Sequence, residues 1–214
     1  MTSEPTRTIE VERKYDVDDD TPLVDLVRMP GVAAVGEPEL RELDAVYLDT
    51  SALTLASARV AVRRRSGGPD EGWHVKFSAA DGRHEYGWPL GDEALPAVLD
   101  QLAVPEPVRE AVSQWCADEA LSPLARVRNT RRAYALTGAD GALVAELVDD
   151  RVTASDVRGG STTSWREWEV ELGPAAPGDP AGREAFFAAV DAAVAAVGGR
   201  PASSESKLQR ALGR

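Results

Sequence analysis

Hydrophobic and polar residues alternate with a period of two through most of this chain. In an extended strand that period sends successive side chains to opposite faces. The clearest stretch is 8–16, where Glu10, Glu12 and Lys14 share one face and Ile9, Val11, Arg13 and Tyr15 the other. Same-face residues there stand roughly 7 Å apart. Further strands are expected at 42–49, 59–65, 73–78, 83–88, 124–136, 143–150 and 166–172. The last sets Glu167, Glu169 and Glu171 against Trp168, Val170 and Leu172. Ser66-Gly67-Gly68-Pro69-Asp70, Asp81-Gly82 and Gly138-Ala139-Asp140-Gly141 mark turns between them. A helical period governs fewer segments. These are 23–29, closed by Pro30-Gly31, then 92–118 with a break at Pro105 and Pro107, 183–197, and a short closing helix at 204–212. Residues 1–7 read as a loose tail and 174–182 as a linker to the C-terminal helices. The whole, 1–214, reads as one α+β domain whose eight hairpin-linked strands close into an antiparallel barrel.

The placement of charge decides which way such a barrel faces. Glu10, Glu12, Glu85, Glu146, Asp150, Glu167, Glu169 and Glu171 fall on the charged parity of their strands. So do Lys14, Arg63, Arg65, Lys76, Arg83, Arg126, Arg128 and Arg132, while Trp73, Val75, Phe77, Trp168 and Val170 take the opposite faces. The stripes Leu95, Val98, Leu99, Leu102 and Phe186, Phe187, Val190, Val194 need an apolar surface to cover. An inverted barrel offers that surface on its outer wall and keeps the ionic groups in a water-filled lumen. Charges taken from water cost several kcal/mol each unless compensated, so the lumen should hold ions. Carboxylates near one end invite a hard divalent cation. Clustered arginines match phosphate oxygens in bidentate fashion. Together they point to a metal-bound polyphosphate. Arg64 and Arg131 fall on the other parity and read as surface residues, and Glu146, Asp149 and Asp150 all remain open as the acid of the seventh strand.

Composition narrows the surroundings. The chain has 214 residues, 43% hydrophobic, enough for one large domain with a real core. A net charge of −12 argues against general nucleic-acid binding. The single cysteine, Cys116, excludes an intrachain disulfide, and two histidines are too few for a histidine metal cluster. No basic and apolar leader opens the sequence, and the apolar tract 188–197 contains Asp191 and is too short to span a bilayer. A cytoplasmic protein with no membrane partner is expected, as a monomer or a homodimer. Tyr47, His74, His84 and Cys116 read as structural residues.

The ordered motifs resemble the CYTH domain, the triphosphate tunnel metalloenzyme family. They are Glu10-Val11-Glu12-Arg13-Lys14, Tyr47-Leu48-Asp49-Thr50, Val62-Arg63-Arg64-Arg65, Val75-Lys76-Phe77, Arg83-His84-Glu85, Glu167-Trp168-Glu169-Val170-Glu171 and Ser206-Lys207. The resemblance runs over about residues 8–210 and implies an eight-stranded tunnel that hydrolyses triphosphates with Mg²⁺ or Mn²⁺. Carried onto this sequence, it implies metal ligands among Glu10, Glu12, Glu167, Glu169 and Glu171, with Glu146 or Asp150 added from the seventh strand. Lys14, Arg63, Arg65, Lys76, Arg83, Lys207 and Arg132, or Arg128 or Arg126 of the same parity in its place, would hold the phosphates, and Glu12, Glu169 and Lys76 would carry the chemistry. The substrate would be inorganic tripolyphosphate or an organic triphosphate such as thiamine triphosphate or a nucleotide. The same fold also supports adenylate cyclases and non-catalytic polyphosphate-binding modules. Family members are often followed by a phosphate-binding CHAD domain, and the 214 residues contain none.

Overall fold

Each alternating segment returns beside another in antiparallel pairing, and the result is a single curled sheet. The computed structural model describes residues 4–79, 82–91 and 94–213. The first half runs β1 (Thr6–Glu10), β2 (Glu12–Val17), β3 (Ala34–Val35), β4 (Glu39–Asp49), α1 (Thr54–Ser57), β5 (Val60–Ser66), β6 (Gly72–Ala79) and β7 (Gly82–Trp88). The second runs α2 (Glu106–Cys116), β8 (Ser122–Thr137), β9 (Leu143–Asp156), β10 (Thr162–Leu172), α3 (Pro180–Ala196), β11 (Arg200–Pro201) and α4 (Lys207–Ala211).

The hydrogen-bonded path is β1-β7-β6-β5-β4-β8-β9-β10-β2-β11, with β3 added on β8. It has eleven strands and does not close on itself, which corrects the expected closed barrel of eight. Its two ends lie in successive halves of one extended segment. β1 pairs with β7, β2 pairs with β10, and the break falls at Val11, whose carbonyl still accepts from the Leu172 amide at 2.9 Å. A twisted sheet brings its edges together obliquely. The segment that meets both edges loses register at that point.

Helices cover the outer wall. α3 begins at Pro180, inside the stretch read as a linker, and Asp179 caps it by accepting from the Gly182 amide. Its Phe186, Phe187, Val190 and Val194 pack with Tyr15, Leu147, Trp168 and Val170. α2 lays Val108, Val112 and Cys116 over Val60, Val62, Trp73 and Val75. A third apolar cluster is internal: Ala45, Tyr47, Ala125, Val127 and Trp165 meet Leu208 and Ala211 of α4. The lumen is therefore ionic over part of its length and plugged by α4 over the rest.

Two expected helices are replaced by irregular chain. Residues 23–29 are irregular chain ending in a turn, with Val24 and Leu26 buried and Leu23 and Val27 exposed. Seven residues between two prolines are too few to sustain a helix. In 92–118, α2 forms as expected, but the first half carries only a 3₁₀ turn at Leu99–Gln101. Pro96 withholds an amide and blocks the preceding turn. Residues 92 and 93 lie outside the described residues, as does Asp81 of the Asp81-Gly82 turn. β6 and β7 still pair down to Ala79 opposite Gly82.

Candidate active site

Inside the curled sheet is a cavity of about 100 Å³. Glu10, Glu12 and Lys14 line it from β1 and β2, Tyr47 from β4, Arg63 and Arg65 from β5, Lys76 from β6 and Arg83 from β7. Asn129 and Arg131 enter from β8, Glu169 and Glu171 from β10, and Lys207 from α4. Directly opposed residues of an antiparallel pair share a face, so register alone sets the charge pairs. Lys14 lies opposite Glu169, Glu12 opposite Glu171, Lys76 opposite Glu85, and Arg131 opposite Asp150.

At the plugged end the charges are matched. Ser206 caps α4, which aims Lys207 into the sheet. Its Nζ lies 2.9 Å from Asp150, 2.5 Å from Glu167 and 2.9 Å from Glu169. These three acids place carboxylate oxygens within 4.8 Å of one another, a spacing that could hold a metal ion, but here the ammonium group fills it. Burial opposes the charge on Lys207, yet Asp150, Glu169 and Glu167 raise its pKa well above the usual lysine value. Glu169 also receives Lys14 at 2.5 Å and Arg131 at 3.0 Å. Burial would raise its pKa, and Lys14, Lys207 and Arg131 hold it well below the carboxylate range. Arg131 grips Asp150 through two bonds of 2.8 and 2.7 Å.

At the other end the acids are in excess. Burial and the neighbouring Glu10 and Glu12 push Glu171 up to about 7. Burial also raises Glu10, although Lys76 approaches to 2.5 Å and pulls the other way. The Glu10 Oε2 is buried with no hydrogen-bond partner among the described residues. A crowd of carboxylates with a spare oxygen is a donor set that a hard divalent cation would relieve, but Glu12 also meets Lys14 at 2.9 Å, and these three acids are not drawn as close together as Asp150, Glu167 and Glu169. On the neighbouring wall Glu85 meets His74 Nδ1 at 2.6 Å, Arg63 at 3.3 Å and Lys76 at 3.4 Å. Burial pushes His74 down to about 4. Tyr47 packs in the internal apolar cluster, where burial alone would raise its pKa but Arg63 beside it lowers it.

Of the residues expected at the site, the structure brings most together and leaves out others. Arg128 and Arg132 are exposed on the outer face of β8, and Arg126 pairs with Asp44 at 2.9 Å. The inward residues are Val127, Asn129 and Arg131, because they oppose the inward Ala45, Leu43 and Arg41 of β4. Arginines occur on both parities of this strand, so charge alone selected the wrong face and placed Arg131 outside. Pairing with an acid does not separate the two either, since Arg131 lies opposite Asp150 and Arg132 opposite Asp149; the face is set by the register with β4. Arg64, expected on the surface, is buried opposite Trp73. Among the seventh-strand candidates, Asp150 is inside and fully buried. Asp149 faces outward, locked to Arg166 at 2.7 and 3.0 Å. Glu146 opposes Glu171 at the rim, but its carboxylate turns to Arg41, 3.1 Å away on both oxygens. Glu167 belongs to the Lys207 cage rather than to the acid crowd.

Residues 8–186 match the family described as the CYTH domain. This chain belongs to the CYTH family. Two uncharacterized Mycobacterium tuberculosis proteins, from strains CDC 1551 and H37Rv, are each 34% identical over 220 aligned positions, 98% of this chain. The alignment covers 41% of each, so this CYTH chain spans about two fifths of the length of the curated relatives it matches. Among solved structures, a candidate adenylate cyclase from Bacillus halodurans superposes with a TM-score of 0.63 at 18% identity, over 95% of this chain and 97% of that one. A Hippeastrum protein, described as a candidate adenylyl cyclase with a dominant triphosphatase activity, gives 0.52 at 14% identity, over 96% of each chain. A Pyrococcus horikoshii protein gives 0.53 at 16%, over 95% and 98%. These identities establish the fold: a tunnel-like α+β sheet. Among the described residues no helix is long and apolar enough to cross a membrane.

Proposed function

We propose that this CYTH protein is a divalent-metal-dependent triphosphatase acting on inorganic tripolyphosphate or an organic triphosphate. One observation carries the reading. A single small cavity sets three crowded acids, Glu10, Glu12 and Glu171, beside a bank of cations, Lys14, Arg63, Arg65, Lys76 and Arg131. Metal-bound polyphosphate is the ligand whose charges complement both.

In this reading Glu10, Glu12 and Glu171 hold Mg²⁺ or Mn²⁺. A cation bound there would neutralise phosphate charge and polarise the phosphorus. The arginines and lysines bind the non-bridging oxygens and stabilise the charge that gathers on the transferring group and on its leaving oxygen. Water attacks the end phosphorus in line and gives up a proton to a phosphate oxygen, the P–O–P bond breaks with its electron pair left on the bridging oxygen of the departing shorter phosphate, and the attacked group leaves as orthophosphate. Glu169 is a weak base, because Lys14, Arg131 and Lys207 occupy its oxygens. Its part is to hold those three cations in position. Lys76, between Glu10 and Glu85, is placed to donate to a phosphoryl oxygen.

The test is orthophosphate release from tripolyphosphate, thiamine triphosphate and ATP, each with Mg²⁺ and with Mn²⁺. Release from at least one substrate, abolished in Glu12→Gln, is expected. Cyclic AMP from ATP without orthophosphate would replace this reading with a cyclase. Tight binding with no product would replace it with a binding module.

A further inference from the structure

The turn between β5 and β6 borders the cavity, which its Asp70 helps to line. Gly67 and Gly68 adopt φ of +81° and +82°, the left-handed region that favours glycine. A Cβ on Gly67 would stand 1.9 Å from the Glu42 carbonyl oxygen, so this turn is clamped down on β4. The backbone is pinned again at Asp70, whose carbonyl accepts from Arg65 Nη2 at 3.2 Å and lies 3.1 Å from His74 Nε2.

The Asp70 side chain is held differently. It is 60% exposed, and among the described residues its ionic partner is the Arg65 guanidinium. Arg65 is 7% exposed and lines the cavity with Arg63 and Arg131. Glu85 answers Arg63, and Asp150 and Glu169 answer Arg131. No buried carboxylate pairs with Arg65 among the described residues, and its Nε has no hydrogen-bond partner there. Burial and repulsion from Arg63 and Arg131 push Arg65 down to about 9.

We propose that Asp70 is a displaceable stand-in for a phosphoryl group, seated on Arg65 until a phosphate of the substrate takes its place. This rests on the triphosphate reading and adds a specificity-determining residue to it. Carboxylate and phosphoryl oxygens use the same bidentate donors, so exchange is chemically like for like. It requires rotation of one exposed side chain, while the pinned backbone stays in place. A ligand presenting a single negative charge merely replaces one anion by another. A phosphoryl end carrying more charge wins the exchange, so Asp70 screens the cavity for highly charged phosphate ends.

Calorimetric titration of tripolyphosphate with Mg²⁺ tests this, beside steady-state kinetics. Asp70→Asn is expected to bind about fivefold more tightly, the upper range for a partly exposed ion pair, and to lower KM with kcat unchanged. Asp70→Ser must show the same gain, which separates the effect from a local distortion by asparagine. Placing Arg65→Gln on the Asp70→Asn background must remove the gain. Affinity equal to or weaker than wild type in both Asp70 variants overturns the inference and leaves the triphosphate reading intact. If wild type and variants alike fail to bind tripolyphosphate, both fall together.

Discussion

Arg131 and Arg132 are adjacent in the chain and have opposite fates. Arg131 sits inside the sheet on Asp150 and Glu169, while Arg132 stands in solvent. Arg131→Gln is therefore expected to raise KM for triphosphate by about tenfold, the worth of one lost charge-assisted bond. Arg132→Gln should change stability by less than about 0.5 kcal/mol and leave KM alone. Steady-state kinetics and urea unfolding on the pair check both halves. Lys207 makes a sharper case. Removing it in Lys207→Met strands Asp150, Glu167 and Glu169 without their shared counter-ion. The cost expected is about 3–5 kcal/mol, read as a fall in the urea midpoint. None of these three acids shows in sequence that its partner is a lysine near the chain's end.

At the scale of elements, α4 forms inside the short closing helix expected at 204–212, yet nothing local accounts for its stability. Five residues cannot form a stable helix alone. Tertiary contacts hold it: Leu208 and Ala211 in the internal apolar cluster, and Arg210 on Asp16. Burial would raise the Asp16 pKa, but the Ser203 amide at 3.0 Å and the Arg210 guanidinium hold it below its ordinary 3.8. A carboxylate with a lowered folded pKa stabilises the fold at pH values above its unfolded pKa. That contribution is lost as pH falls through the folded value. Asp16→Asn should then destabilise the protein by ~1 kcal/mol at neutral pH, and the two proteins should converge below about pH 3. Thermal unfolding across that range checks the sign. By contrast, strands with one polar and one apolar parity were legible outright. In β10 from Glu167 to Leu172, and in the row Glu10, Glu12, Lys14, alternation states the face, although Trp165 turns inward with the glutamates, Arg166 turns outward with Trp168, and Ile9 is exposed. β8 was not legible, because arginines occupy both its faces and only pairing with β4 and β9 chooses between them. Helical stripes misled where proline intervened, as at Pro96.

At the scale of the whole molecule, the sheet gathers residues from both ends of the chain into one cavity. Metal and triphosphate bound there should stabilise the folded state by mass action, about 2.7 kcal/mol at a hundredfold excess over Kd. The expected result is a Tm rise that needs both components, reverses with chelator and fails in Glu12→Gln, measured by differential scanning fluorimetry. A Tm rise with tripolyphosphate alone, equal in size, would show that the acid crowd holds no metal of consequence.

The order of charged and apolar positions determined that this chain builds antiparallel strands with an ionic face, covered outside by helices. It also determined most of the residues on that face, since parity is a local property fixed by the two-residue period of a strand. Closure, strand count and charge partners were decided only in three dimensions. Whether two sheet edges meet depends on twist summed over many strands, and no local pattern encodes where the seam at Val11 falls. Lys207 met Asp150 for the same reason: a distant helix had to be seated before an ammonium group could occupy the space between three carboxylates.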